Sequence, residues 1–276
     1  LEGGGFPVRR PFPTDELDQV DPFLLLDHLG PIEWGPGEAI GAPDHPHRGF
    51  ETVTYLLAGE TEHKDSGGHQ GRLMPGDVQW MTAGSGVIHS EMPTPSFYDQ
   101  GGKMHGFQIW INLPRDRKMI PPRYQDTPAE KIPEVLLEDG TSKVRVIAGE
   151  FQTTRAVIET NTPILYLHII LQAGMNVVQP VISDHNCMAY IIEGHGMFGK
   201  EKETQSASEG QLVLFARNGD EVCLSSGKDT PLDLLLLAGR PFNEEIARYG
   251  PFVMNTREEI FEAFQDYQQG KMGMIS

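Results

Sequence analysis

Apolar residues recur along this chain in short runs, nearly all closed by Gly, Pro or Asp. Residues 49–57, Gly-Phe-Glu-Thr-Val-Thr-Tyr-Leu-Leu, are rich in β-branched and aromatic side chains and stop at Ala58-Gly59-Glu60. Pro75-Gly76-Asp77 reads as a turn launching 78–82, and Gly84-Ser85-Gly86 as a turn launching 87–91. Residues 107–113 alternate with period two. Alternate side chains of an extended chain share a face, so these runs predict strands, and their length and spacing predict a sandwich or small barrel. From 114 to 140 the character changes: Pro114, Pro121, Pro122, Pro128 and Pro133 sit among mixed charges, as in a connection between two halves. Strands resume at 143–149 and 164–171. The clearest helix is C-terminal. Thr256 with Glu259 forms a capping box, and Ile260, Phe264 and Tyr267 give one apolar face, suited to a barrel exterior; a polar tail follows from Gly270.

The second half echoes the first. Tyr55-Leu56-Leu57-Ala58-Gly59-Glu60 is matched by Tyr190-Ile191-Ile192-Glu193-Gly194-His195 at an offset of 135, and Pro75-Gly76-Asp77-Val78 by Glu209-Gly210-Gln211-Leu212 at 134. Two turns related by almost one offset predict a duplicated β module. A length of 276 residues accommodates two such modules.

Composition narrows the classes. With 22 Lys+Arg against 39 Asp+Glu the net charge is −17, which repels phosphate backbones and argues against direct nucleic-acid binding. The 31 Gly and 21 Pro suit a turn-rich β protein. The most apolar stretch, 163–182, is interrupted by His168, Gln172, Asn176 and Gln179, short of the roughly 18 uninterrupted residues a spanning helix needs. Residues 1–12 lack the apolar core of a signal peptide, although the chain begins at Leu1 and leaves a preceding segment open. Cys187 and Cys223 do not make a disulfide framework, so a reducing cytoplasm is expected, with the nucleus an option in a eukaryote.

The candidate chemistry is in histidine spacing. His45-Pro46-His47 directs two imidazoles to one face of an extended segment, and His89-Ser90-Glu91 does the same for an imidazole and a carboxylate. On neighbouring strands the two pairs would converge as three imidazoles and one carboxylate, a set suited to iron, manganese, nickel, copper or zinc rather than calcium or magnesium. His28, His63, His69, His105, His168, His185 and His195 have no such partnership. The positions 135 residues beyond His45 and His47 are Pro180 and Ile182, so a metal site is expected in the first module alone.

HxH, a Gly-terminated strand, a Pro-Gly-Asp turn and a further His together resemble the two-part motif of the cupin superfamily. The strings Val20–Asp27, Pro43-Asp44-His45-Pro46-His47-Arg48-Gly49-Phe50-Glu51-Thr52-Val53, Pro75-Gly76-Asp77-Val78-Gln79-Trp80-Met81-Thr82-Ala83-Gly84, Ile88-His89-Ser90-Glu91-Met92-Pro93 and Gly250-Pro251-Phe252-Val253-Met254-Asn255-Thr256 resemble one family within it, the pirins. The resemblance implies an all-β bicupin: two antiparallel β-barrels of jelly-roll type packed face to face, with a short C-terminal helix. Residues 1–130 would form the metal-binding cupin and 131–276 a metal-free cupin ending in the helix. It implies the ligand set His45, His47, His89 and Glu91, with Glu51 left structural or behind the ligands. The expected metal is Fe(II)/Fe(III), with Mn, Ni, Co, Cu and Zn as alternatives.

Pirins also resemble quercetin 2,3-dioxygenases. This implies a flavonol and O2 as substrates, ring opening with loss of carbon monoxide, and Glu91 as both ligand and catalytic base. Phe50, Met81, Met104 and Trp110 are candidates to stack on a planar substrate, and Gln108 to hydrogen-bond a ligand. The alternative implied by the family is a non-enzymatic iron-binding redox sensor or transcriptional co-regulator that acts through a protein partner. A monomer is expected.

Overall fold

The apolar runs of the first half form strands that share two antiparallel sheets. The structure, a computed structural model, describes residues 4–200 and 204–275; the outer ends of the two expected domains, residues 1–3 and 276, lie outside the described residues. The strands of the first half are β1 (Val8–Phe12), β2 (Phe23–Trp34), β3 (Ala42–His47), β4 (Phe50–Ala58), β5 (Thr61–Asp65), β6 (Gln70–Leu73), β7 (Val78–Thr82), β8 (Val87–Pro93), β9 (Gly102–Asn112) and β10 (Arg123–Thr127). One sheet runs β1-β2-β9-β4-β7-β10 and the other β3-β8-β5-β6. β4 lies between β9 and β7, and its residues from Phe50 to Leu56 are all buried, which is why this run is apolar and β-branched without strict alternation.

Two elements depart from the sequence expectation. β10 lies inside the proline-rich connection and pairs with β7, from Arg123 opposite Thr82 to Thr127 opposite Val78. It is an edge strand, where charged residues are tolerated on the solvent side, so it carries a weak apolar signature. A short helix, α1 (Pro95–Gln100), is capped by Thr94, whose hydroxyl accepts from the Phe97 N–H, with Pro95 in the first turn.

The chain divides into two compact units. The first joins residues up to Gln19 and Phe23–Ala129 to the stretch from Phe242 onward; the second joins Val20–Pro22 to Glu130–Pro241. The C-terminal helix, Arg257–Gln268, was expected to end the second domain and instead belongs to the first unit. The capping box is present: Thr256 Oγ1 accepts from Glu259 N and Glu259 Oε2 from Thr256 N. The buried Ile260 and Ala263 pack with Ile88, Phe252, Met254 and Met272, and Arg48 pairs with Asp266 at 2.9 Å. These contacts are long in sequence, and chain order alone does not contain them.

Within the second unit, strands Lys143–Ala148, Ile164–Leu171, Leu232–Gly239 and Asn186–Phe198 lie side by side. Their buried side chains, among them Val144, Leu167, Ile169, Ile191, Leu234 and Leu236, form one apolar cluster. The duplication extends to backbone bonds. Leu56 N donates to Asp77 O at 3.1 Å and Gly76 N to Leu56 O at 2.7 Å; Ile191 N donates to Gln211 O at 3.1 Å and Gly210 N to Ile191 O at 2.9 Å. Gly76 and Gly210 both adopt positive φ, +94° and +78°, a region glycine enters without a Cβ penalty. Each unit is thus a cupin, and the protein is an all-β, two-cupin chain.

Candidate metal centre

β3 and β8 pair antiparallel with His45 opposite His89 and His47 opposite Val87. His45 and His47, two apart on an extended strand, share a face, and cross-strand pairing adds His89 to it. The ring centroids of His45 and His89 are 4.3 Å apart, those of His45 and His47 4.7 Å, and those of His47 and His89 5.0 Å. One potential ligand atom from each lies within 4.8 Å of the others, and among the described residues this is the cluster able to hold an ion.

Hydrogen bonding prepares the imidazoles. His45 Nδ1 lies 2.7 Å from Pro43 O and His47 Nδ1 3.3 Å from Pro251 O. A carbonyl only accepts, so each Nδ1 carries a proton, and Nε2 is the ring nitrogen left to serve as a ligand atom. His89 is fully buried, and neither of its ring nitrogens has a hydrogen-bond partner. Burial pushes His47 down to about 3, with His45 beside it adding to the effect. Burial, then His47 and His45, holds His89 well below the ordinary imidazole value. Three imidazoles converge, one of them buried with unsatisfied nitrogens, and such a donor set fits a first-row transition ion.

Glu91, two residues beyond His89 on β8, lines the same cavity but is not in the three-histidine cluster. Thr54 Oγ1 lies 2.8 Å from Glu91 Oε1, and Gln108 Nε2 lies 3.5 Å from Glu91 Oε2. Glu51 is buried and accepts from Thr82 Oγ1 at 2.6 Å, outside the cluster. In the second unit the matching positions, Pro180 and Ile182, offer no ligand atoms.

The histidines border a cavity of about 520 Å³ walled by Leu25, Ile32, Trp34, Met104 and Trp110, among others. Of the four expected stacking residues, Met104 and Trp110 line it, whereas Phe50 and Met81 are fully buried in separate apolar clusters. Phe50 instead supports the wall from behind, its ring 4.4 Å from that of Trp110 and 5.1 Å from that of His47. Gln108 lines the cavity, as does Thr54, which the sequence did not single out. No alternation in β4 marks Thr54; the sheet register, which sets it opposite Gln108 on β9, is what brings it to the cavity. Arg10, Asp27 and Arg248 also reach the cavity; the first two form a bidentate pair with both contacts at 2.6 Å.

Two cupin units with three convergent histidines in the first place the chain among the bicupins that carry a candidate metal centre. Models of the Pirin family and of the Pirin C-terminal cupin domain match residues 5–111 and 166–273. The chain belongs to the pirin family. It is 46% identical to a pirin-like protein of Solanum lycopersicum, over 99% of this chain and 89% of that one. A crystal structure of a quercetin 2,3-dioxygenase from Acinetobacter baumannii is similar at a TM-score of 0.92 and 40% identity, covering 100% of this chain and 95% of that one. A bacterial pirin from Escherichia coli, crystallised in complex with nickel(II), shares the fold at a TM-score of 0.60 and 20% identity, over 85% and 90% of the two chains.

Proposed function

We propose that this protein is a metal-dependent dioxygenase that opens the ring of quercetin or a related flavonol with O2 and releases carbon monoxide. The observation that carries this reading is the convergence of three imidazoles at the edge of a cavity walled by aromatic and aliphatic side chains. His45, His47 and His89 would hold the ion, with Glu91 as the carboxylate beside them on β8. When bound, a first-row divalent ion, with iron, nickel and manganese the leading candidates, supplies a Lewis acid that favours the deprotonated form of a chelating hydroxyl.

The chain's own residues do the rest. The Trp110 ring, with Met104, gives apolar surface against which an aromatic ring can lie. Glu91 accepts the hydroxyl proton, and its neighbours suit that task. Thr54 Oγ1 lies within reach of two acceptors, Glu91 Oε1 at 2.8 Å and Gln108 Oε1 at 2.6 Å, yet carries one proton. Once Glu91 is protonated at Oε1 it donates to Thr54, and Thr54 donates to Gln108. The proton that leaves the substrate therefore completes a chain of hydrogen bonds instead of breaking one.

The test is loss of flavonol absorbance in air by protein loaded in turn with iron and other divalent metals. Turnover is expected, and Glu91→Gln should lower kcat by roughly 10²–10⁴-fold, the usual range for a positioned base, at unchanged metal content. Full metal occupancy without turnover of any flavonol would overturn the proposal.

A further inference from the structure

The three candidate ligands differ in what holds their outer nitrogens. His45 and His47 each give Nδ1 to a backbone carbonyl, whereas both nitrogens of the fully buried His89 lack a protein partner. An imidazole that gives one nitrogen to an ion keeps a proton on the other, and a buried N–H without an acceptor is costly. Metal-bound imidazoles ordinarily have that N–H tied to a carboxylate, a carbonyl or a water. For His89 the acceptor has to come from what packs beside β8.

β5 pairs with β8 there, with Asp65 opposite His89 and His63 opposite Glu91. Glu91 shares a strand face with His89, so His63 is the diagonal neighbour of His89 on that face, at a spacing of about 7–8 Å that rings can span. His63 is also among the groups whose charge acts on His89. Asp65 is engaged elsewhere: it accepts from Gly67 N and His69 N and pairs with His69 Nδ1 at 3.0 Å. His63 is engaged at one end only. Its Nε2 lies 2.9 Å from Asp126 Oδ2, and its Nδ1 is buried with no protein partner. The hydroxyl of Tyr124 is a further buried atom of this kind, and its ring lies parallel to that of His63 with centroids 5.2 Å apart. The local packing is built around the His63–Asp126 pair. Gln79 Nε2 donates to Asp126 Oδ1 at 3.1 Å, and Gly71, opposite His63 on β6, leaves the pair its room: a Cβ there would stand 2.7 Å from Asp126 Oδ2 and closer still to His63 Nε2.

We infer that a buried water held by His63 Nδ1 and the Tyr124 hydroxyl accepts the outer N–H of His89, which makes His63 a positioning residue of the metal centre. Three polar partners are what a buried water ordinarily has. Asp126, half-buried at the far end, orients the His63 ring as a carboxylate orients a metal-bound imidazole. The inference rests on the reading of His45, His47 and His89 as metal ligands.

The nickel(II) affinity of the full chain, measured by competition with a chelator, tests this without turnover. His63→Phe keeps a ring against Tyr124 and removes both nitrogens; it should weaken nickel(II) binding by about 10-fold or more, the usual scale for the outer partner of a ligand. Tyr124→Phe removes one hydroxyl and should weaken binding by about threefold. Gly71→Ala, which displaces the His63–Asp126 pair and touches no ligand, should weaken it as well. A purely structural role would lower the melting temperature of the metal-free protein and leave both the affinity and the visible spectrum of cobalt(II)-loaded protein unchanged; a positioning role lowers the affinity and shifts that spectrum. A crystal structure of the nickel(II)-loaded, unaltered protein should show a water within about 3.2 Å of a His89 nitrogen and of His63 Nδ1. Affinities within about twofold of the unaltered protein for both His63→Phe and Tyr124→Phe would overturn the inference, and so would the absence of that water. Either result removes this inference alone, whereas no nickel(II) binding by the unaltered protein removes the metal-centre reading as well.

Discussion

His45 and His89 face each other across the β3–β8 pair, their ring centroids 4.3 Å apart, on two strands joined by backbone hydrogen bonds. The three-histidine cluster is thus held by sheet register. A slip of one residue would turn every histidine on the slipped strand to the other face of the sheet.

Removing an imidazole at this register should abolish the centre without unfolding the sheet. His45→Ala and His89→Ala are each expected to leave the purified protein with background metal by elemental analysis, and His45→Ala with little change in melting temperature, because His45 is only half-buried. Stoichiometric metal retained by His45→Ala would count against the centre.

Acid should destabilise the metal-free protein through its buried histidines. Burial pushes His28 and His47 down to about 3 and holds His89 well below its ordinary value. Unfolded imidazoles titrate near 6.5, so below that pH the unfolded chain binds protons that the folded chain refuses. The stability present above pH 6.5 is lost progressively as pH falls toward about 3. The midpoint of denaturant unfolding should fall from about pH 7 to about pH 5, a window above most carboxylate titration. A flat midpoint would show that these imidazoles are not buried neutral.

Gly49 connects the HxH strand to β4 and cannot carry a side chain. Its φ is +88°, and a Cβ there would stand 1.9 Å from Val253 O. Gly49→Ala should destabilise by roughly 3 kcal/mol or more, combining positive-φ strain with backbone displacement. The measurement is melting temperature together with metal content, since His47 is two residues away. An unchanged melting temperature would refute the packing described.

Lys118 joins the same region from a third segment. Its ammonium is buried and donates to Gly49 O at 2.9 Å, Asn112 Oδ1 at 2.7 Å and Val253 O at 3.1 Å; burial pushes its pKa down to about 7 against the pull of Glu244 and Glu259. Lys118→Met keeps the stem and removes all three donors. A loss of about 2–4 kcal/mol is expected from acceptors left unpaired, read by chemical denaturation. No loss would mean that water replaces the ammonium.

Local sequence determined what depends on neighbours in the chain. Period two aligned His45 with His47 and His89 with Glu91, the Gly-bearing turns set the two modules, and Thr256 with Glu259 started the C-terminal helix, because strand faces, turns and caps are each settled within a few residues. Tertiary structure decided what depends on contacts across the chain. It brought the His45/His47 pair and the His89/Glu91 pair onto adjoining strands, carried the C-terminal helix to the first unit through Ile260 and Ala263, and stacked Arg248 over Trp110, 138 positions away. It also turned Glu91 toward Thr54 and Gln108 and buried Phe50 and Met81 away from the cavity. The apolar pattern says that a side chain is buried, but which cluster it joins follows from how the sheets fold over one another, and no local rule encodes that.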